Sequence, residues 1–349
     1  MKKVIPVLAA LLLLAAACGD DDSTDAGDGG DDGDSAATSD LDVLNVAYFA
    51  EWPTPNQFGQ DDDSFGEAVG VDINWVPFNS GGEMAEAMEA GNIDISYSQG
   101  LTPFANFVNN GADLKLVGIA VSYSEADNCV AGGDLGVTKE NAGETLKGAT
   151  VMTPIGNITH FKMLSMMEHL GVSLDDITVV PAEGGATTAA AFEAGDIDVG
   201  CAFGGPVVTM LDNGGNVIMT GAEHESEIGI FTYDIVSIPA KFGEEHPEVV
   251  TAFLAATEDF NQKWAADPES QNPTIATAAG MEDVGNFLAG DDWFVFPSID
   301  EQLSADWMGG NVATNMKAQL DTFVRLGEIE TALDDFSSFV DTTYLEAID

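Results

Sequence analysis

The sequence predicts an α/β molecule built as two similar lobes, and two observations carry that expectation. The first is an internal repeat, because residues 85–118 (AEAMEAGNIDISYSQGLTPFANFVNNGADLKLVG) and 189–221 (AAAFEAGDIDVGCAFGGPVVTMLDNGGNVIMTG) share one pattern. Glu89, Ala90, Gly91, Ile93 and Asp94 match Glu193, Ala194, Gly195, Ile197 and Asp198. Pro103, Asn110, Gly111 and Gly118 match Pro206, Asn213, Gly214 and Gly221. Each copy reads as a helix, a Gly turn, a short apolar strand, a loop, a second helix and another strand. Two copies fall short of a solenoid, which needs about three or more stacked units. The second observation is the alternation of apolar strand-like runs with helical patterns along the rest of the chain, the mark of an α/β fold with largely parallel sheets.

In chain order, LDVLNVAYF (41–49) is the first buried strand, followed by a polar and aromatic loop from Glu51 and Trp52 to Gln57. VDINWVPF (71–78) is the second strand, and residues 79–83 start a helix in which Ser80 and Glu83 have capping-box spacing. A second lobe is expected to begin near Cys129 and Val130, with ATVMTP (149–154) as its opening strand. Residues 156–160 (GNITH) then lead into a helix. ITVVPA and the Gly184, Gly185 turn open the second repeat. TYDIVSIP (232–239) reads as a strand returning the chain to the first lobe, where a helix starting at Pro247 and others from about Glu301 pack. The expected lobes are residues 43–130 with 235–349, and residues 131–234.

The N-terminus predicts where the protein resides. Lys2 and Lys3 precede an apolar run, Val4 to Leu14, too short to span a bilayer. Small residues then lead to Cys18, as a lipoprotein signal peptidase requires. Residues 1–17 are thus expected to be a signal peptide, and Cys18 a lipid anchor on the outer face of the cell membrane. Residues 19–40 hold nine Asp and no apolar side chain larger than Ala, so the segment 18–42 reads as an acidic flexible tether.

The chain carries 60 acidic against 10 basic residues, a formal net charge of −50, and Arg325 is its sole arginine. Nucleic-acid binding is excluded by that balance, because no basic surface exists to meet phosphates. An acidic surface of this kind suits a salty medium that screens its repulsion. Cys129 and Cys201 form an even pair that permits one disulfide outside the cytoplasm. They lie in different segments, so a bridge and two separate thiols both remain open. No CxxC pair or Cys/His cluster points to a metal, and no cofactor motif is present.

Two facing lobes favour a small molecule held in a cleft at the strand ends. With basic side chains scarce, helix N-termini are the natural anion sites, since their unpaired N–H groups carry partial positive charge. Such starts occur at Gly81, after Gln99 and Gly100, at Thr159 behind Asn157, and at Gly185. Trp52 and Phe203 read as apolar loop residues suited to enclosing a ligand. Asp234 stands inside the apolar run from Ile230 to Ile238, where a carboxylate needs a cationic or donor partner. A ligand ammonium is one candidate and a structural salt bridge another.

These segments together resemble the taurine-type branch of the substrate-binding proteins of ABC importers, which includes alkanesulfonate and thiamine-precursor binders. The likeness spans roughly residues 43–345. It is carried by NVAYF, by Phe78-Asn79-Ser80-Gly81, by the helices ending in AGNIDI and AGDIDV, by PIGNITHFKML, by Phe203-Gly204-Gly205-Pro206, by Thr232-Tyr233-Asp234 and by EEHPEVV. The resemblance implies a two-lobed type II periplasmic-binding-protein fold with a central cleft and hinge. It further implies a sulfonate held by hydroxyl, amide and backbone donors near the Thr159-His160-Phe161 segment. Asp234 would face the amine. The implied function is capture of taurine or a similar amino-sulfonate for delivery to a membrane permease and its ATPase. Another alkanesulfonate or a small ammonium compound is the alternative, and a thiamine-pyrimidine-synthase-like enzyme a remote one. The chain lacks the Cys-rich motif of such an enzyme, so a non-enzyme is expected. Two departures are Phe203 where relatives often carry Trp, and Glu51 beside Trp52, a second carboxylate in the first loop.

Overall fold

Short, largely buried apolar runs between Gly and Asn turns yield eleven strands in the computed structural model, which describes residues 41–288 and 293–348. The strands are β1 (Val43–Phe49), β2 (Asp72–Phe78), β3 (Ile95–Gly100), β4 (Leu114–Tyr123), β5 (Asp127–Gly132) and β6 (Thr150–Pro154). They continue as β7 (Thr178–Ala182), β8 (Val199–Phe203), β9 (Gly215–Val217), β10 (Thr232–Pro239) and β11 (Phe294–Val295). The expected signal peptide, Cys18 and residues 18–40 of the tether lie outside the described residues.

Two sheets form, ordered β11-β4-β10-β3-β1-β2 and β7-β6-β8-β5-β9. Apart from the edge strand β11 they share one plan. In each, two parallel neighbours flank the opening strand: β2 and β3 beside β1, and β7 and β8 beside β6. In each, a strand arriving from the other lobe is inserted antiparallel: β10 between β3 and β4, and β5 between β8 and β9. The molecule is therefore an α/β protein of two lobes with exchanged strands. These insertions shift the expected boundaries. Residues 127–130 belong to the second sheet, and Thr232 to Asp234 to the first, so the chain crosses at residues 124–126 and 218–231. Both crossings are polar connections, the short Ser124-Glu125-Ala126 and a longer one rich in Glu from Thr220 to Gly229, and such connections look like any surface loop in sequence.

The repeat corresponds to α1 (Gly81–Glu89) with β3, α2 (Leu101–Asn109) and β4 in one lobe. Its counterpart is α4 (Gly185–Glu193) with β8, α5 (Gly205–Asp212) and β9, and between the copies lies α3 (Ile158–His169). The Gly turns serve left-handed backbone, with φ of +72° at Gly91 and +73° at Gly195, which costs glycine nothing. Ser80 caps α1 by accepting from Glu83 N, but the Glu83 carboxylate reaches back to Asn79 N rather than to Ser80, a capping box displaced by one residue. The C-terminal part of the first lobe carries α6 (Pro247–Ala266), α7 (Pro268–Ala279) and α8 (Asn311–Leu326). Proline at the first turn of α6 and of α7 is tolerated because that N–H has no helical partner.

The main core fills the space between the first sheet and its helices and continues into the second lobe, with Phe65, Phe104, Phe253, Phe260 and Phe323 fully buried. A smaller cluster of Val130, Ala189, Phe192, Ala202, Val207 and Met210 lies beneath α4 and α5. Cys129 and Cys201, opposite each other on β5 and β8, are joined by a disulfide with Cα atoms 4.0 Å apart.

Candidate functional site

Strand ends and helix starts of both lobes converge on a buried acidic and aromatic centre. Asp234 is 3% exposed on β10; its Oδ1 accepts from Tyr123 OH (2.9 Å) and its Oδ2 from Ser98 Oγ (3.0 Å). Ser98 Oγ in turn accepts from Trp52 Nε1 (2.9 Å). Ser98 holds a left-handed φ of +67°, rare for a residue with a Cβ, and this strain aims its hydroxyl at the carboxylate. Burial pushes the Asp234 carboxyl well above its ordinary range; the Tyr123 and Ser98 hydroxyls oppose that rise, and the charge of Asp127 adds to it. Among the described residues no Lys or Arg forms an ion pair with Asp234.

An aromatic cluster extends from the Tyr123 and Trp52 side of this carboxylate. The Trp52 ring centroid lies 4.8 Å from that of Tyr123, 6.0 Å from Phe203 and 4.5 Å from Phe294, and Phe49 packs on Phe203 at 5.4 Å. Phe203 ends β8 rather than standing in a loop, and it joins the lobes by touching Trp52 and Phe49.

Several other expected residues serve the frame. Gln99 donates from Nε2 to Gly81 O (2.7 Å) and accepts from Ser237 Oγ (2.6 Å), so its amide secures α1 to β10 instead of facing the cleft. His160 accepts from Gly156 N through Nδ1 (3.2 Å) and stacks on Phe323, and burial lowers its pKa to about 4. A neutral imidazole here pins the loop before α3. Asn157 caps α3, accepting from Ile158 N (2.5 Å). Thr159 donates its hydroxyl to Asp127 Oδ2 (2.7 Å). Glu51 works through its backbone, donating to Ala279 O (2.7 Å) and accepting from Gly205 N (3.2 Å). Gly100 caps α2, and a Cβ there would sit 3.3 Å from Ile158 of the facing lobe.

The lobes therefore meet across the cleft. Asn106 Nδ2 donates to Gly156 O (3.1 Å), Arg325 pairs with Glu168, and Glu51 O meets Gly205 N. Gly204, at φ +67°, admits this approach, since a Cβ would fall 2.4 Å from Glu51 O. Cavities remain along the seam: one, of about 150 Å³, is lined by Glu51, Asn79, Glu183, Gly184 and Phe203; another, of about 230 Å³, by Ser80, Asn106, Gly156, Asn157 and Glu183; and one of about 360 Å³ lies beside Glu168 and Arg325.

Sequence reasoning missed Ser98, Tyr123, Asp127 and Lys162. Lys162 is buried on α3 and donates to the main-chain oxygens of Ser124 (3.0 Å) and Asp127, fastening α3 to the crossing chain. A lysine within the otherwise apolar and small run FKMLSMM was the available signal.

Comparison with known proteins agrees with this architecture. The chain is 26% identical over 314 residues to the taurine-binding periplasmic protein of Escherichia coli (strain K12), covering 87% of this chain and 92% of that protein. It is 24% identical over 256 residues to a putative aliphatic sulfonates-binding protein of Bacillus subtilis (strain 168), covering 73% and 71%. The solved alkanesulfonate-binding protein of Xanthomonas axonopodis pv. citri, bound to MOPS, superposes with a TM-score of 0.71 over 87% of this chain and 99% of that one at 19% identity, showing a shared fold. The NMT1/THI5-like family model matches residues 62–271, and with both sheets and the crossing strands in place the chain belongs to that family.

Proposed function

We propose that this chain is the extracytoplasmic, lipid-anchored substrate-binding component of an ABC importer, and that it captures taurine or a similar small amino-sulfonate for delivery to a membrane permease. The observation that carries the reading is Asp234, a buried carboxylate with hydroxyl donors and, among the described residues, no Lys or Arg ion-paired to it, beside Tyr123 and, through Ser98, Trp52. A buried charge is tolerated when it is paired, and a ligand ammonium supplies that pairing. The N-terminus of α3 offers the anionic end backbone N–H groups and the Asn157 amide without a basic side chain, while the Thr159 hydroxyl is given to Asp127. The named relatives, one taurine-binding and one aliphatic sulfonate-binding, support the same class.

The mechanism is closure of two lobes. Contacts drawn from β10 and β3 on one side and from β8 and α3 on the other stabilise the closed state only to the extent that a ligand prefers it. Calorimetry of the purified protein with taurine, ethanesulfonate and ethanolamine tests the reading. Taurine is expected to bind tightest, because it alone supplies both charged ends. Ethanolamine binding as tightly as taurine, or no binding of either sulfonate at millimolar concentration, would overturn it.

A further inference from the structure

The ammonium assigned to Asp234 leaves a second buried carboxylate unexplained. Asp127 opens β5 directly opposite Phe203 and is 1% exposed. Its Oδ2 accepts from Thr159, while its Oδ1 is buried with no hydrogen-bond partner. A buried carboxylate oxygen without a donor is costly, so the site calls for one. Lys162 does not supply it: its ammonium is engaged by the carbonyl oxygens of Ser124 and Asp127, and it acts on the carboxylate only through its field. Tyr123 links the two acids, since its hydroxyl donates to Asp234 and the charges of both raise its pKa. Burial pushes the Asp127 carboxyl up to about 6, with Lys162 and Thr159 opposing. Asp127 and Asp234 thus place two buried carboxyls near Lys162, whose ammonium also feels Glu125 and Glu225.

We infer that Asp127 is a second specificity-determining carboxylate of the ligand site, which brackets the ligand's ammonium together with Asp234 and so selects primary and secondary amines carrying at least two N–H donors. The inference rests on the amino-sulfonate reading of the same site. One N–H reaches Asp234, whose two oxygens already accept from Tyr123 and Ser98, and a second satisfies Asp127 Oδ1. An alkanesulfonate without an amine would leave Asp127 Oδ1 without a donor and Asp234 without a paired cation, and a tertiary amine would serve only one of them.

Calorimetry near neutral pH on the full mature protein and its Asp127→Asn variant tests this with taurine, N-methyltaurine, N,N-dimethyltaurine and ethanesulfonate. Asp127→Asn is expected to weaken taurine by at least about tenfold, the usual consequence of removing one charge from a desolvated pair, while ethanesulfonate is unchanged or tighter. In the wild type, affinity should hold from taurine to N-methyltaurine and fall by at least about tenfold at N,N-dimethyltaurine, where one N–H remains. Taurine binding unchanged in Asp127→Asn overturns the inference, because asparagine keeps a Thr159 anchor and could still donate to a sulfonate. If the variant does not fold, the wild-type series decides, and N,N-dimethyltaurine bound as tightly as N-methyltaurine overturns it. A wild type that binds taurine and passes neither test defeats the bracketing alone. A wild type that binds no sulfonate defeats the ligand reading and this inference with it.

Discussion

At the residue scale the site is organised around carboxylates kept out of water. Asp234 was legible in the sequence because a lone acid inside an apolar strand is conspicuous, whereas Ser98 and Tyr123 were not, since hydroxyls in strands are ordinary. Their role depends on a left-handed φ at Ser98 and on the pairing of β10 with β4, both set by the fold. The raised Asp234 carboxyl has a stability consequence of definite sign. A group whose folded pKa exceeds its unfolded value holds more protons when folded, so the ligand-free protein is favoured at low pH and loses that contribution as pH rises. Asparagine does not titrate. Asp234→Asn should therefore gain stability relative to wild type as pH rises from about 4 to about 8, while taurine affinity falls by at least tenfold, or about 1.4 kcal/mol. Melting curves across that range check the sign, and a difference independent of pH would show that Asp234 is ionised through an unrecognised partner.

Among the elements, the strand β5 joins site and scaffold. It carries Asp127 and, two residues on, Cys129, whose partner Cys201 stands two residues before Phe203 on β8. The disulfide thus clamps the two strands that deliver an acid and an aromatic to the cleft. Its loop closes a sequence separation of 72 residues, for which the chain-entropy account gives about 4 kcal/mol. The Cys129→Ala/Cys201→Ala variant should lose stability of that order in urea unfolding, and a loss below about 1 kcal/mol would show that the sheet alone confines these strands. Strand and helix order in both repeats was readable from AGNIDI and AGDIDV, because a Gly turn followed by an apolar strand has few other folds. The sheet that each crossing strand joins was not, because a strand's own residues do not name the sheet it pairs with.

For the whole molecule, the lobes meet through aromatic contacts at Phe203 and Phe323 and through polar contacts of unequal burial. The backbone bond between Glu51 and Gly205 and the amide of Asn106 are held by buried or half-buried groups, whereas the Arg325–Glu168 pair is about half exposed. Exposed ion pairs contribute about 0–1 kcal/mol, so the sole arginine is a weak latch despite its rarity. Arg325→Gln should accordingly change taurine affinity by less than about fivefold, well short of the effect at Asp234. Titration calorimetry of both variants makes the comparison, and an Arg325→Gln loss equal to that of Asp234→Asn would place closure, rather than ammonium pairing, in control of affinity.

The sequence by itself determined the two-lobed α/β plan, since local periodicity, Gly turns and a repeated segment are encoded within short windows. It also singled out Asp234, Trp52 and Thr159, each unusual for its immediate surroundings. Tertiary structure decided what those residues do. Gln99 and His160, equally polar and equally well placed along the chain, are engaged by Gly81, Ser237 and Gly156, whereas Asp127, at the start of β5, comes to lie beside Thr159 and close enough to Asp234 to raise its pKa. The reason is physical: which buried polar group finds a protein partner depends on strands exchanged between lobes about a hundred residues apart in sequence, and no local pattern records that pairing.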